Sequence, residues 1–531
     1  MRLEGSRPIV IASILVCLSY FFFLQIFPHF QNPNETSRFF LTSAIVEDHA
    51  VHIDSAMKRY GDTKDKSVYN GHFYAAKPIG YSVFAVPFYF VFTKVTELRD
   101  SAIAIWFLRI FVNIIPLLLF SVFFFRYMRD DLKLGDKAYL FIATFLFGTL
   151  FYPFAQTFIS HVTTGILWFV AFYLIAERDD WRSAFLSGAI LGLCFTMEVL
   201  SLIEMGALGL LLLSKGRARL FSFCAGALLF ALPAFIYNAF VFGGPLQWPY
   251  LHTYYPGFEA QNKVGYVGVR LPSPSVLFQL MFGTYRGFFY YMPDLIFGVF
   301  GLIREKQQRA ASLAAVGIVA GNFLFNSGML AWDGGWCFGP RYIVPVIPFL
   351  IYGCALWYRQ MDHPKTSLTI YLLLLAWTIP IMFFGTATFL YSPGGTLNPI
   401  LWENFTLFWR GLLAPNIGGA LGWNIYVVQI VAILLIAIPT MIFIARARLP
   451  RKEFLLFAIV FLLMFPGSAL LQRKIEGITP PRDLFIIGIC AHFQGNETAA
   501  GQYLARAKEM NRDPIIQRAI SQYLAEIRSA K

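Results

Sequence analysis

The residues best suited to chemistry are an acid just beyond the first apolar run and a set of cations spread along the rest of the chain. Glu35 follows Pro33 and Asn34, with Glu47 and Asp48 further on. A carboxylate placed there can take a proton from an attacking hydroxyl, while fixed cations can stabilise a departing phosphate. Lys77, ahead of Pro78, offers a point charge; Arg286 and Arg341 offer planar forks suited to bidentate contact with phosphate oxygens. A charge costs about 2.5–3.5 kcal/mol at the centre of a spanning helix and less toward its ends. Cations held at that boundary therefore need a partner, and a phosphate headgroup is a suitable one.

The elements that must position these groups follow from composition. Of 531 residues, 57% are hydrophobic, 18% aromatic and only 14% charged, which excludes an ordinary soluble enzyme and a disordered chain. The fold class expected is all-α, a polytopic membrane helix bundle. The six cysteines show no metal-type spacing and read as small buried hydrophobes. The net charge of +13 sits in short loops between apolar runs, so it encodes membrane orientation and implies no nucleic-acid partner.

Apolar runs begin near residues 8, 102, 137, 162, 183, 201, 219, 289, 309, 343, 367, 424 and 453, which gives about thirteen spans at roughly 20 residues each. Basic clusters at Arg126/Arg129/Lys133/Lys137, Arg178/Arg182, Lys215/Arg217/Arg219, Arg304/Lys306/Arg309, Arg359/Lys365 and Arg446/Arg448/Arg451/Lys452 all fall inside if residues 79–98 lie in the outer interface instead of crossing. This parity puts the N-terminus in the cytoplasm and the C-terminus outside. Residues 29–78, 241–275 and 392–423 then form long outer loops, and chemistry is expected on that face. Phe39, Phe40, Ile45 and Val46 give the first loop an apolar face suited to an interfacial helix. Residues 1–470 are read as the membrane domain and 471–531 as a small extracytoplasmic helical tail with alanines, leucines and aromatics at helical spacing.

Two first-loop elements, PNETSRF at Pro33 to Phe39 and AAKPIGYS at Ala75 to Ser82, resemble those of the C-type superfamily of integral membrane glycosyltransferases. The resemblance is in particular to the branch that holds lipid A 4-amino-4-deoxyarabinose transferase and the protein O-mannosyltransferases. Three outer turns resemble bacterial members of that group: YPFAQTFISH ending at His161, TYRGFFYYMP around Tyr285 and Arg286, and WDGGWCFGPRYIVPVIP, which carries Asp333, Trp336, Arg341 and Tyr342. The resemblance implies a hexosyl or pentosyl transferase that takes a sugar from a polyprenyl-phosphate donor. The acceptor would be a lipid, glycan or protein on the outer face of a bacterial inner membrane. It further implies Glu35 as base, with Asn34, Glu47 and Asp48 in the catalytic set. Lys77, Arg286 and Arg341 would hold the donor phosphate, and His161, Tyr285, Asp333, Trp336 and Tyr342 would bind substrate.

The chain departs from the group in two places. Asn34 stands where relatives have the first acid, which leaves Glu35. Ala76 stands where relatives with a metal have glutamate, so no metal is expected at that position; a divalent ion elsewhere stays open, with Glu47, Asp48 and His49 as conceivable ligands. Displacement by one base without a covalent intermediate would invert the anomeric centre. No Gly-x-Gly-x-x-Gly fingerprint or P-loop occurs, which agrees with a lipid-linked donor. Glu198 and Glu204, acids in an apolar stretch, rank after Glu35 as site candidates. Two other classes compete: a transporter or flippase of lipid-linked sugars, and a glycan polymerase or ligase using a lipid diphosphate.

Overall fold

The computed structural model describes residues 7–29, 32–361 and 365–529. The flank with Arg2, the loop residue His363 and the last two residues lie outside the described residues. The chain is a polytopic all-α bundle. Seven helices are long and apolar enough to cross a membrane: Ser101–Asp131, Arg217–Phe242, Arg309–Ser327, Arg341–Arg359, Thr366–Ala387, Ile425–Arg446 and Arg451–Ile478. Shorter apolar helices are Arg7–Phe22 (α1), Gly80–Val95, His161–Glu177, Trp181–Met197 and Ser201–Leu213. The runs expected near 137 and 289 are helical but broken, into Ala138–Phe147 with Phe151–Phe154 and into Phe288–Tyr291 with Ile296–Arg304.

In lipid no hydrophobic force draws helices together, so association relies on close packing. Helices Trp181–Met197 and Arg217–Phe242 achieve this with glycine: a Cβ on Gly188 would sit 2.0 Å from the Phe223 carbonyl oxygen, and one on Gly226 2.2 Å from that of Phe185.

The first loop holds two further helices, Pro33–Ser43 (α2) and Asp54–Tyr60 (α3), then a hairpin of Lys66–Tyr69 (β1) and His72–Ala75 (β2). The hairpin was absent from the expected helical loop. Its turn is Asn70-Gly71, both at positive φ (48° and 81°), the backbone that an Asn-Gly pair adopts to join twisted strands. The segment expected to stay at the interface is the helix Gly80–Val95 (α4). It runs alongside α2: near its start Ser82 Oγ donates to the Arg38 carbonyl at 3.0 Å, and past its middle Tyr89 hydrogen-bonds Glu47.

The two groups of loops separate cleanly. At one end of the bundle the basic turns interlock: Arg448 pairs with Asp136 at 2.8 Å, Arg219 with Asp179, and Arg359 with Glu305 at 2.9 Å. The first loop and the segments around 158, 198, 250, 286, 341 and 391 meet at the other end. Three helices, Pro481–Phe493, Glu497–Met510 and Pro514–Ser529, pack there as well; Gln494 donates to the carbonyls of Thr388 (3.2 Å) and Leu412 (3.3 Å).

Candidate active site

Helix α2 starts where Asn32 accepts a hydrogen bond from the Asn34 N–H at 2.9 Å, with Pro33 in the first turn, where its missing N–H is harmless. Every residue from Asn34 to Ser43 is buried. The helix therefore carries Glu35 and Arg38, one turn apart, into the protein interior, each at 2% exposure. These two charges meet different surroundings.

Glu35 is committed on all sides. Arg109 grips it through Nη2–Oε2 at 2.7 Å and Nε–Oε1 at 3.2 Å. Tyr391 Oη donates to Oε2 at 2.9 Å, and the Phe158 N–H donates to Oε1. Arg109 is occupied too, since Nη1 donates to the Gln25 carbonyl at 2.9 Å. A carboxylate with four donors and a fork-shaped partner is a strong, directional joint. It ties α2 to the Ser101–Asp131 helix and to the segments at 158 and 391. The cation that meets Glu35 is Arg109, not Lys77 or Arg341.

One turn along, Arg38 enters a cluster of cations. Its Nε is held by Asn34 Oδ1 at 2.9 Å and its Nη2 by Glu198 Oε1 at 3.2 Å, while Nη1 is buried with no hydrogen-bond partner among the described residues. Glu198 also accepts from Ser160 Oγ and lies 3.7 Å from His161 Nδ1. His161 Nε2 and Arg341 Nε are likewise buried and unpartnered. Arg341 Nη2 donates to Tyr342 Oη at 3.0 Å, and the Tyr342 ring stands edge-on to His161 at 5.9 Å. Lys77 pairs with Asp65 at 2.8 Å, and its ammonium sits 5.6 Å from the centre of the Tyr250 ring. Arg341, Arg38 and Lys77 all lie in the neighbourhood of His161. Three cations face two carboxylates, Glu198 and Asp65, in a place where unpaired buried donors are costly. Such an arrangement suits an anion.

Arg286 and its neighbours build one wall of this cluster. The guanidinium is fully buried and donates to the backbone carbonyls of Asp333 (3.2 Å) and Gly335 (3.1 Å), fixing the turn that leads to Arg341. Gly334 and Gly335 adopt φ of 74° and 66°, and a Cβ on Gly334 would lie 2.8 Å from Arg341 Cγ; the paired glycines are needed both for the backbone and for the space. Asp333 accepts from Tyr285 Oη and from the Gly335 N–H, each at 3.1 Å. Trp336 turns toward Phe493 of the C-terminal helices, ring centres 5.9 Å apart.

Glu47 and Asp48 lie apart, at the far end of α2. Arg59 clasps Asp48 at 2.7 and 2.8 Å and reaches Glu47 at 3.3 Å; Ser43 and Tyr60 also donate to Glu47, each at 3.2 Å. Arg59's hydrogen bonds hold the Asp48 carboxyl below its ordinary range. Of the expected residues, Lys77, His161, Arg341 and Tyr342 share the cluster, with Asn34 behind Arg38. Tyr285, Arg286 and Asp333 shape its wall, while Glu35, Glu47, Asp48 and Trp336 engage other partners.

Four participants were missed by sequence reasoning. Arg109 is a lone cation inside an apolar run, a signal that an interior partner exists. Arg38 is one helical turn from Glu35 and so shares its depth. Asp65 and Tyr391 carry no local signal.

The fold and this rim cluster together define an integral membrane bundle whose polar groups converge at one end. No family model and no curated protein sequence matches the chain. Among solved structures, the crystal structure of ArnT from Cupriavidus metallidurans in the apo state is similar, with a TM-score of 0.50 and 15% identity over 95% of this chain and 80% of that one. The chain has the ArnT fold.

Proposed function

We propose that the protein is a membrane glycosyltransferase that moves a sugar from a polyprenyl-phosphate carrier to an acceptor on the extracytoplasmic face. The observation that carries this reading is the cluster of buried Arg38 and Arg341 with half-buried Lys77, in which two guanidinium nitrogens have no acceptor among the described residues. A lipid phosphate supplies the missing acceptor and balances the surplus charge. Basic turns at the opposite end of the bundle support an extracytoplasmic position for the cluster by the positive-inside rule. The fold is shared with ArnT, and the likeness of the first-loop elements to those of the C-type glycosyltransferases supports a lipid-linked donor.

In this reading Lys77, Arg38 and Arg341 hold the phosphate and stabilise the charge that develops as the sugar–phosphate bond breaks. Glu35, with its lone pairs taken by Arg109, Tyr391 and Phe158, positions α2 and through it Arg38. Proton removal from the acceptor falls to His161. Glu198 beside Nδ1 favours the tautomer with its proton there, which leaves the unpartnered Nε2 as the accepting atom. One base and no covalent intermediate give inversion at the anomeric carbon.

The test is transfer from a radiolabelled polyprenyl-phosphate sugar in proteoliposomes. Lys77→Ala and Arg341→Ala are each expected to lower turnover by roughly 10²-fold, the scale of losing one charge-stabilising donor. Full transfer by both variants would remove the reading.

A further inference from the structure

The first loop contains a second constellation, separate from the cation cluster. Backbone pairing of Ile53 N–H with the Phe73 carbonyl at 2.7 Å brings the start of α3 against β2. Asp54, in the first turn of α3, uses Oδ1 to accept the Phe73 N–H at 2.8 Å, which fixes the carboxylate and leaves Oδ2 for other partners. Two imidazoles converge on that single oxygen: His72 Nδ1 at 2.6 Å and His52 Nδ1 at 3.2 Å. Their rings stack at 4.7 Å with 26° between planes. His52 Nδ1 is buried and makes no hydrogen bond of acceptable geometry among the described residues.

We infer that His52, Asp54 and His72 form a zinc-type divalent metal site that clips the loop following α2 to the strand that delivers Lys77. Two imidazole nitrogens and one carboxylate oxygen suit zinc, which binds such ligands at about 2.0–2.2 Å. Tetrahedral ligands at that radius stand about 3.3 Å apart. The three ligand atoms lie within 4.8 Å of one another, and the His52–Asp54 separation already matches. His72 needs to swing outward by about 0.7 Å to reach that spacing, and with a half-exposed side chain it is free to do so. The same exposure leaves a fourth position for water and a path for the ion. The site lacks Ala76 and every member of the cation cluster. Its effect on transfer runs through the backbone, since His72 opens the strand that ends just before Lys77.

The experiment uses the full-length protein without a histidine tag, in detergent, stripped with a chelator and desalted after addition of zinc(II) alone. Metal content by plasma mass spectrometry is expected to be one zinc per chain for the wild type and for His49→Asn, and less than about a tenth of that for His52→Ala, His72→Ala and Asp54→Asn. Cobalt(II) in place of zinc is expected to give the intense visible bands of a four-coordinate ion in the wild type. Equal zinc content in the wild type and in monodisperse His52→Ala or His72→Ala would overturn the site. So would a wild-type cobalt spectrum with only the weak bands of the hydrated ion, a readout that holds even if the alanine variants do not fold. Neither measurement depends on the transfer reaction.

Discussion

Helix α2 offers a direct comparison, because two charged groups one turn apart on it, equally buried, meet opposite fates. Around Glu35 donors and acceptors balance: Arg109, Tyr391 and the Phe158 N–H leave the carboxylate nothing to seek. Around Arg38 they do not, since Nη1 of Arg38 and Nε of Arg341 remain without acceptors beside Lys77. A saturated ion pair makes a joint, while an unsaturated one of net charge is a site waiting for its counter-ion. Burial alone does not separate the two cases, nor does residue type. The count of partners does.

Substitutions can break or sharpen this contrast. The largest effect on turnover is expected from Lys77→Ala and Arg341→Ala, about 10²-fold each in the radiolabel assay, with little change in thermal melting. If melting falls as far as activity, the cluster is a joint like the other. The largest effect on stability belongs to the Glu35 knot: Arg109→Leu leaves a buried carboxylate uncompensated and is expected to cost about 3–5 kcal/mol, read as a lowered Tm in detergent. Glu35→Gln keeps the shape and is expected to cost less stability. It should retain much of the transfer, whereas His161→Gln should lose about 10²-fold as a missing general base does. Asn34→Ala, which frees Arg38 Nε, is expected to raise KM by about tenfold, the value of a lost hydrogen bond to a charged group.

The smallest effect lies at the far end of α2. Arg59 holds the Asp48 carboxyl low, so its stabilising contribution is complete above the ordinary aspartate value near pH 3.9 and fades as pH falls through the lowered native one. Arg59→Ala should flatten the acid limb of a melting-versus-pH curve and leave transfer within about twofold, as expected for a partly exposed pair.

Much of this arrangement was legible beforehand. Each expected apolar run is helical, because run length and turn charge are local properties that the bilayer reads directly. Lys77 and Arg341, expected at the donor phosphate, lie near His161 and Tyr342, expected at the substrate, whereas Trp336 of the same expected set faces the C-terminal helices. The hairpin was also legible, in Asn70-Gly71 between Val68-Tyr69 and Phe73-Tyr74, although the helical character of the surrounding loop hid it. Glu35 was found, but its partner was not: the expected cation lay in the same loop, and the observed one lies inside a spanning helix.

By itself, the sequence determined the class of molecule, the places of the apolar helical runs and the separation of basic turns from polar loops, since each depends on neighbours in the chain. Only the tertiary structure decided which charges pair. Glu35 meets residues 74 and 356 positions away, and Arg38 meets one 160 positions away. Electrostatic and hydrogen-bond energies depend on distances of a few ångströms between such groups, and those distances are set only when the helices have packed.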